Sequence, residues 1–298
     1  MKQFLFSVFF LSISNMGLSQ MLNSKGYDLY MYDYKTVNPA FTGLVGEQRY
    51  TFNTSIRKSN LLDQVYFPEV QLAYENRIAK LNSGIGFMIY SVKLGSLSDT
   101  YLSLLYNYQF ELDEKSTLIV GTEIKHINSV IDFNNYRPND PNDPLLLQGA
   151  YKRFKFDLDI GISYQLKDLT IGLSVKSITE PEMNYGSNIV RRAAERMMSA
   201  LIAYDVHVAE WIEFKPSLFY LNNGSNNSFD INGNLNIANW VLLGVQFKPS
   251  KDFDDQLSIN LGFDIKEIFE IVGTIYNSKN TDFNGNTYEI VALIKLYN

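Results

Sequence analysis

The 298-residue chain contains no cysteine, 2 histidines and 2 tryptophans. The missing cysteines exclude disulfides, thiolate zinc sites and a cysteine nucleophile, so stability has to come from backbone pairing and packing. Charge of one sign is not concentrated: 32 acids stand against 26 bases, a net charge of −6. No basic block or stripe appears, which argues against a nucleic-acid partner. No Gly-rich phosphate loop follows a strand and opens a helix. After the first residues there is no apolar run of about 18, so no membrane-spanning helix is expected. No serine motif marks a nucleophile, and His126 and His207 fall at opposite ends of the topology derived below. They cannot form one metal site or one catalytic dyad. These absences argue against an enzyme and against a bound cofactor.

What is present begins with Met1-Lys2, an apolar stretch from Phe4 to Ile13, and Gly17-Leu18-Ser19-Gln20. A charged start, a short apolar core and small residues at positions −3 and −1 read as a signal peptide, residues 1–19. From Glu47 onward the period is two. Phe154, Phe156, Leu158, Ile160, Ile162 and Tyr164 share one face, while Lys155, Asp157, Asp159, Gly161, Ser163 and Gln165 share the other. Leu257, Ile259, Leu261 and Phe263 likewise oppose Ser258, Asn260, Gly262 and Asp264. Such alternation means one apolar and one wet face per strand.

Read this way, strands are expected near 47–57, 65–77, 84–91, 99–111, 116–126, 154–166, 169–176, 196–207, 211–220, 227–237, 240–248, 255–265, 268–276 and 286–297. That is about 14, many near the ~9–11 residues that cross a bilayer at a tilt. The strand at 268–276 alternates least cleanly, with Ile268, Phe269, Ile271 and Val272 in succession. Connections at 78–83, 112–115, 167–168, 208–210, 238–239 and 266–267 are short, and the intervening ones at 58–64, 92–98, 127–153, 177–195, 221–226, 249–254 and 277–285 are mostly longer. Alternating short and long connections are the mark of tight periplasmic turns and longer outside loops. The wet face carries Glu123, Lys125, Asp157, Asp159, Glu213, Lys215, Asp230 and Asp264, too much charge for a soluble core. The expected fold is therefore all-β: a transmembrane antiparallel barrel over 47–298, both termini periplasmic, in contact with outer-membrane lipid. An open two-sheet sandwich with that wet face in solvent is the structural alternative.

Residues 27–43 read Tyr-Asp-Leu-Tyr-Met-Tyr-Asp-Tyr-Lys-Thr-Val-Asn-Pro-Ala-Phe-Thr-Gly. With Tyr30, Met31, Asn38, Pro39, Ala40, Phe41 and Gly43 in place, the segment resembles the opening of the PorP/SprF family, and a late strand with Glu289-Ile290 extends the likeness along the chain. It departs from the usual pattern at Tyr32-Asp33, where the family has Phe-Asn. The resemblance implies an outer-membrane component of the type IX secretion and gliding machinery of Bacteroidetes-type bacteria, whose partners are a large secreted surface protein or adhesin and other secretion components. Physically, Asn38-Pro39 favours an extended or turn conformation and Gly43 a tight turn, so residues 20–46 are expected to fold into or across the periplasmic mouth. The long connections are where a partner is expected to dock, with Tyr185, Arg191 and Arg192 as exposed anchor types. Acidic loops at Asn139–Pro144 and at Asp252, Asp254 and Asp255 lack EF-hand spacing. A solute channel and a soluble secreted β-sandwich adhesin are the competing functions.

Overall fold

The computed structural model describes residues 28–45, 48–58, 66–132, 149–185, 190–192, 194–224, 227–249, 255–279 and 284–297. Residues 1–27, including the expected signal peptide at 1–19, lie outside them, as do Asn139–Pro144, Asp252 and Asp254.

Fourteen antiparallel strands form the wall. They are β1 (Gln48–Lys58), β2 (Tyr66–Ile78), β3 (Ser83–Leu94), β4 (Leu97–Asp113), β5 (Ser116–Asp132), β6 (Ala150–Leu166) and β7 (Leu169–Lys176). Next comes β8, which runs Met197–Tyr204 and, after a break at Asp205, Val206–Ala209. The rest are β9 (Ile212–Asn222), β10 (Asn227–Ile237), β11 (Val241–Lys248), β12 (Gln256–Ile265), β13 (Phe269–Lys279) and β14 (Asn284–Leu296). Each pairs with its neighbours in sequence, β7 pairs through β8 to β9, and β1 pairs with β14, from Gln48 opposite Leu296 to Arg57 opposite Thr287. That last pairing closes the cylinder. A closed barrel, not a sandwich with edges, is what the alternating sequence builds.

The outer face is apolar: Phe52, Leu104, Ile160, Leu218 and Ile259 are all exposed. Lipid is the solvent that makes this stable. The charges of the wet face point inward, and most of them are paired. Lys125 Nζ sits 2.9 Å from Asp157 and 2.6 Å from Asp159, Lys215 2.8 Å from Asp205, and Lys295 2.9 Å from Glu270.

Short turns join β2 to β3, β4 to β5, β6 to β7, β8 to β9, β10 to β11 and β12 to β13 at one end, where β1 also begins and β14 finishes. Trp211 and Trp240 lie in two of these turns, exposed. One connection departs from the expectation: 92–98 is not a long loop. Strands β3 and β4 run on to Leu94 and Leu97, joined by Gly95-Ser96 with Gly95 at φ +58°. The glycine takes up the left-handed conformation that a two-residue hairpin needs. Strands β4, β5 and β6 also run farther toward the long-connection end than expected, each spanning 17 residues.

Candidate functional site

The lumen is occupied by the chain's own N-terminal segment. Residues 28–43 are buried almost throughout and fold as three consecutive 3-10 turns, Tyr30–Tyr32, Tyr34–Thr36 and Pro39–Phe41. The turns pair only part of the segment's own backbone groups, such as Asp33 N–H with the Tyr30 carbonyl and Thr42 N–H with that of Pro39, so the wall has to supply partners for the rest.

One row of wall residues, perpendicular to the strands, forms the middle of the seat. Successive cross-strand partners run Gly84 on β3, Asn107 on β4, Gly121 on β5, Gly161 on β6, Ser174 on β7 and Ser199 on β8. Asn107 Nδ2 donates to the carbonyls of Ala40 (2.8 Å) and Thr42 (2.5 Å), while its Oδ1 accepts from the Gly84 N–H at 2.7 Å. Ser174 Oγ donates to the Val37 carbonyl at 2.7 Å, and Lys176 Nζ to the Thr36 carbonyl at 2.6 Å. The glycines let the plug backbone touch the wall: a Cβ on Gly121 would stand 2.5 Å from Ala40 Cα, and one on Gly161 would overlap the Asn38 amide.

Each family-motif residue has a part in this seat. Asn38 is extended (φ −153°, ψ 116°), caps the turn by accepting the Ala40 N–H at 2.9 Å, and donates to the wall carbonyls of Ile162 and Leu173 at 3.2 and 3.1 Å. Pro39 fills the first position of that turn, where no N–H is needed. Ala40, wholly buried, passes over Gly121. Phe41 packs with Tyr30, Met197 and Leu201. Gly43 has φ +67°, and a Cβ there would lie 2.8 Å from the Asn76 carbonyl. Tyr30 lies 4.6 Å from the Phe219 ring and accepts a hydrogen bond from Asn232 at 2.8 Å. Met31 packs with Leu29 against Leu242, Val272, Val291 and Leu293.

Two charged clusters fasten the ends. Lys35 Nζ lies 2.5 Å from Asp33 and 3.1 Å from Glu75; Arg49 reaches Asp33 at 2.6 Å and also pairs with Glu75. The second Glu75 oxygen accepts the Gly43 N–H at 2.5 Å. At the other end Glu289 accepts the consecutive N–H groups of Asp28 and Leu29 at 2.8 and 2.9 Å, and Lys248 pairs with the Asp28 carboxylate. A cavity of about 340 Å³, lined in part by Tyr32, Tyr34, Arg49, Lys215 and Lys295, remains at the short-turn mouth.

At the opposite end the connection after β7 turns inward. A hairpin pairs Glu182–Asn184 with Val190–Arg192. Met183 and Tyr185 are fully buried against Tyr90, Tyr101 and Ile127, and Tyr185 Oη donates to Ser129 at 2.5 Å. The expectation of an exposed Tyr185 is therefore corrected: the inward wall tyrosines offer its ring a dry site and Ser129 satisfies its hydroxyl. Arg191 and Arg192 are described as backbone alone, in the second arm of the hairpin. His126 faces outward, 5.2 Å from the Phe156 ring, and His207 lies at the short-turn end, 3.9 Å from Asp168.

A family described as "Type IX secretion system membrane protein PorP/SprF" matches residues 19–293. The chain belongs to the PorP/SprF family. Comparison with curated proteins yields no match. Among solved structures, the barrel is similar to the Ralstonia pickettii toluene transporter TbuX (TM-score 0.59, 11% identity, covering 95% of this chain and 97% of that one). It is also similar to the CymD monoaromatic hydrocarbon channel (0.56, 10%, 88% and 92%) and to the Acinetobacter baumannii outer membrane protein Omp33 (0.52, 8%, 85% and 100%). At these identities the likeness is one of fold. Together with the family's description as a membrane protein, that fold identifies this PorP/SprF protein as an outer-membrane barrel.

The seat predicts a specific weakness. Asn107→Leu leaves the Ala40 and Thr42 carbonyls without their donor and so should cost about 2 kcal/mol in holding the plug. Amide exchange across 38–43 is expected to quicken by roughly 30-fold, with the wall strands unchanged; unaltered exchange would refute the assignment.

Proposed function

We propose that this PorP/SprF protein acts by binding: it holds a large secreted surface protein and helps to export or anchor it together with other type IX components. On this reading it neither catalyses a reaction nor passes solutes, and the short-turn end faces the periplasm. The observation that carries the reading is the filled lumen. The family's own motif residues serve to seat a plug, and a second inward turn packs Met183 and Tyr185 at the far end. A transporter needs a path that opens readily, whereas this interior is tied by ion pairs and hydrogen bonds along its length.

Two measurements on the detergent-purified protein test it together. Planar bilayers containing the wild-type chain should show no steady conductance, and mild solubilisation from its own membrane should bring down a large surface protein identifiable by mass spectrometry. Steady ion current with no accompanying protein would replace this reading with that of a solute channel.

A further inference from the structure

Strand β6 is paired with β5 along its whole length, from Ala150 opposite Asp132 to Leu166 opposite Ser116. Its other side is paired with β7 from Ile160 to Leu166, because β7 ends at Lys176. Residues 150–159 thus present an edge within an otherwise closed wall. The lower part of that edge is satisfied locally: Ile178 N–H donates to the Leu158 carbonyl at 3.0 Å, and Thr179 Oγ1 to that of Phe156 at 3.3 Å. This is what hydrocarbon demands of any unpaired strand.

The upper part differs. A strand rising about 3.3 Å per residue at a tilt of roughly 40° climbs about 25 Å between Leu166 and Phe156, the height of the whole apolar band. Lys152–Phe156 therefore stands at and above the membrane boundary on the long-connection side, where an unpaired edge can meet water. Among the described residues, no ladder partner meets the outward-turned N–H groups of Lys152, Phe154 and Phe156. Phe154 and Phe156 are 69% and 66% exposed, the most exposed large apolar side chains among the described residues. Lys152 and Lys155 are exposed, and no ion pair engages them among those residues. Arg153 is already held, its Nε donating to the Asn184 carbonyl at 2.6 Å.

We propose that Lys152–Phe156 is a docking edge that accepts an extended segment of a partner protein as an added strand. The segment would carry apolar side chains opposite Phe154 and Phe156 and acidic ones opposite Lys152 and Lys155. Backbone hydrogen bonds supply the grip in such strand addition, and alternate side chains supply the choice. The two lysines also keep unlike strands away, since charged edges resist indiscriminate pairing. The inference rests on the partner-holding function above and assigns its surface and the chemistry of the segment it takes.

The test uses the full chain in nanodiscs and a capped nine-residue peptide whose core reads Val-Glu-Val-Thr-Glu, which in antiparallel register sets valines opposite Phe156 and Phe154 and glutamates opposite Lys155 and Lys152. The peptide should slow amide exchange at 152, 154 and 156 by about tenfold or more. Two control peptides, one N-methylated at alternate residues and one with lysine for glutamate, should not. Lys152→Glu with Lys155→Glu should reverse the preference toward the lysine peptide, and Phe154→Pro should abolish binding of both. Heat-modifiable gel mobility verifies that each variant is a folded barrel. Equal binding of the N-methylated peptide, or protection elsewhere than on β6, would overturn the proposal. So would a dimer of this chain that Phe154→Pro dissolves, since that makes a second copy the occupant. If the native surface protein stays with the Lys152→Glu/Lys155→Glu barrel as it does with wild type, the edge assignment fails while partner holding stands. If no protein accompanies the wild type, partner holding fails and the peptide still decides the edge.

Discussion

Trypsin is expected to cut the Gly121→Leu protein at Lys35 while leaving that bond intact in the wild type. In the folded chain Lys35 is 1% exposed, so cleavage there requires the plug to leave its seat. A leucine at 121 makes that necessary. Its Cβ would lie 2.5 Å from the Ala40 Cα, and the rest of the side chain would need the volume held by Pro39 and Ala40. The obstructing atoms are backbone, which cannot swing aside as a side chain would. Overpacking costs about 1–3 kcal/mol even where neighbours can yield, and here relief comes from displacement of the segment. The wall should survive, because Gly121 keeps its ladder position between Asn107 and Gly161. Gly273→Ala is the matched control: a Cβ there meets nothing nearer than the Glu289 carbonyl at 3.8 Å. Cleavage at Lys35 should rise from undetectable toward the rate of an unfolded peptide in Gly121→Leu and stay at the wild-type level in Gly273→Ala. A trypsin-resistant, folded Gly121→Leu barrel would show that the segment does not lie against this wall.

The same close approach explains what was legible in the sequence and what was not. The strands were legible because lipid on one side and a hydrated, charged interior on the other impose a strict period of two. Where that contrast ends, so does the signal. Strand β5 continues through Asn128, Ser129 and Asp132, and β6 begins as early as Ala150, but beyond the bilayer the inner face turns apolar at Ile127, Ile131 and Tyr151 while Asn128 and Lys152 stand outside, so the alternation loses its phase. The irregular 268–276 segment had a cause the strand pattern could not show: Val272 points inward and packs on Leu29 and Met31. Leu201, Phe219, Leu221, Leu242, Val291 and Leu293 are likewise apolar residues on the wet face, and together they outline the plug. That outline, with inward glycines at 84, 121 and 161, is the signal from which a lumenal segment could have been found. Tyr185 offered no such clue, because its partners Tyr90, Tyr101 and Ile127 come from strands far away in sequence.

Removing the Glu75 carboxylate should loosen the plug more than removing any one of its neutral hydrogen bonds. Glu75 faces two cations, Lys35 and Arg49, and also accepts the Gly43 N–H. All three ionic side chains around it, including Asp33, are nearly inaccessible to water. In Glu75→Ala the two cations share a single carboxylate in a site that excludes solvent. Breaking a buried pair from one side costs about 3–5 kcal/mol, because the remaining charge is left uncompensated. Local exchange of the amides from 35 to 43 should therefore accelerate by roughly 10²–10⁴-fold. Adding Lys35→Met to Glu75→Ala removes the orphaned charge, so the double variant should recover much of the loss, a non-additivity that a double-mutant cycle measures. Salt separates this from a surface effect. Exposed charges are screened over about 10 Å at 0.1 M, so raising the ionic strength should weaken the exposed Arg196–Glu180 pair and leave the Glu75→Ala defect unchanged. A defect that vanished in high salt, or a double variant no better than Glu75→Ala alone, would mean that the cluster is wet and does not hold the plug.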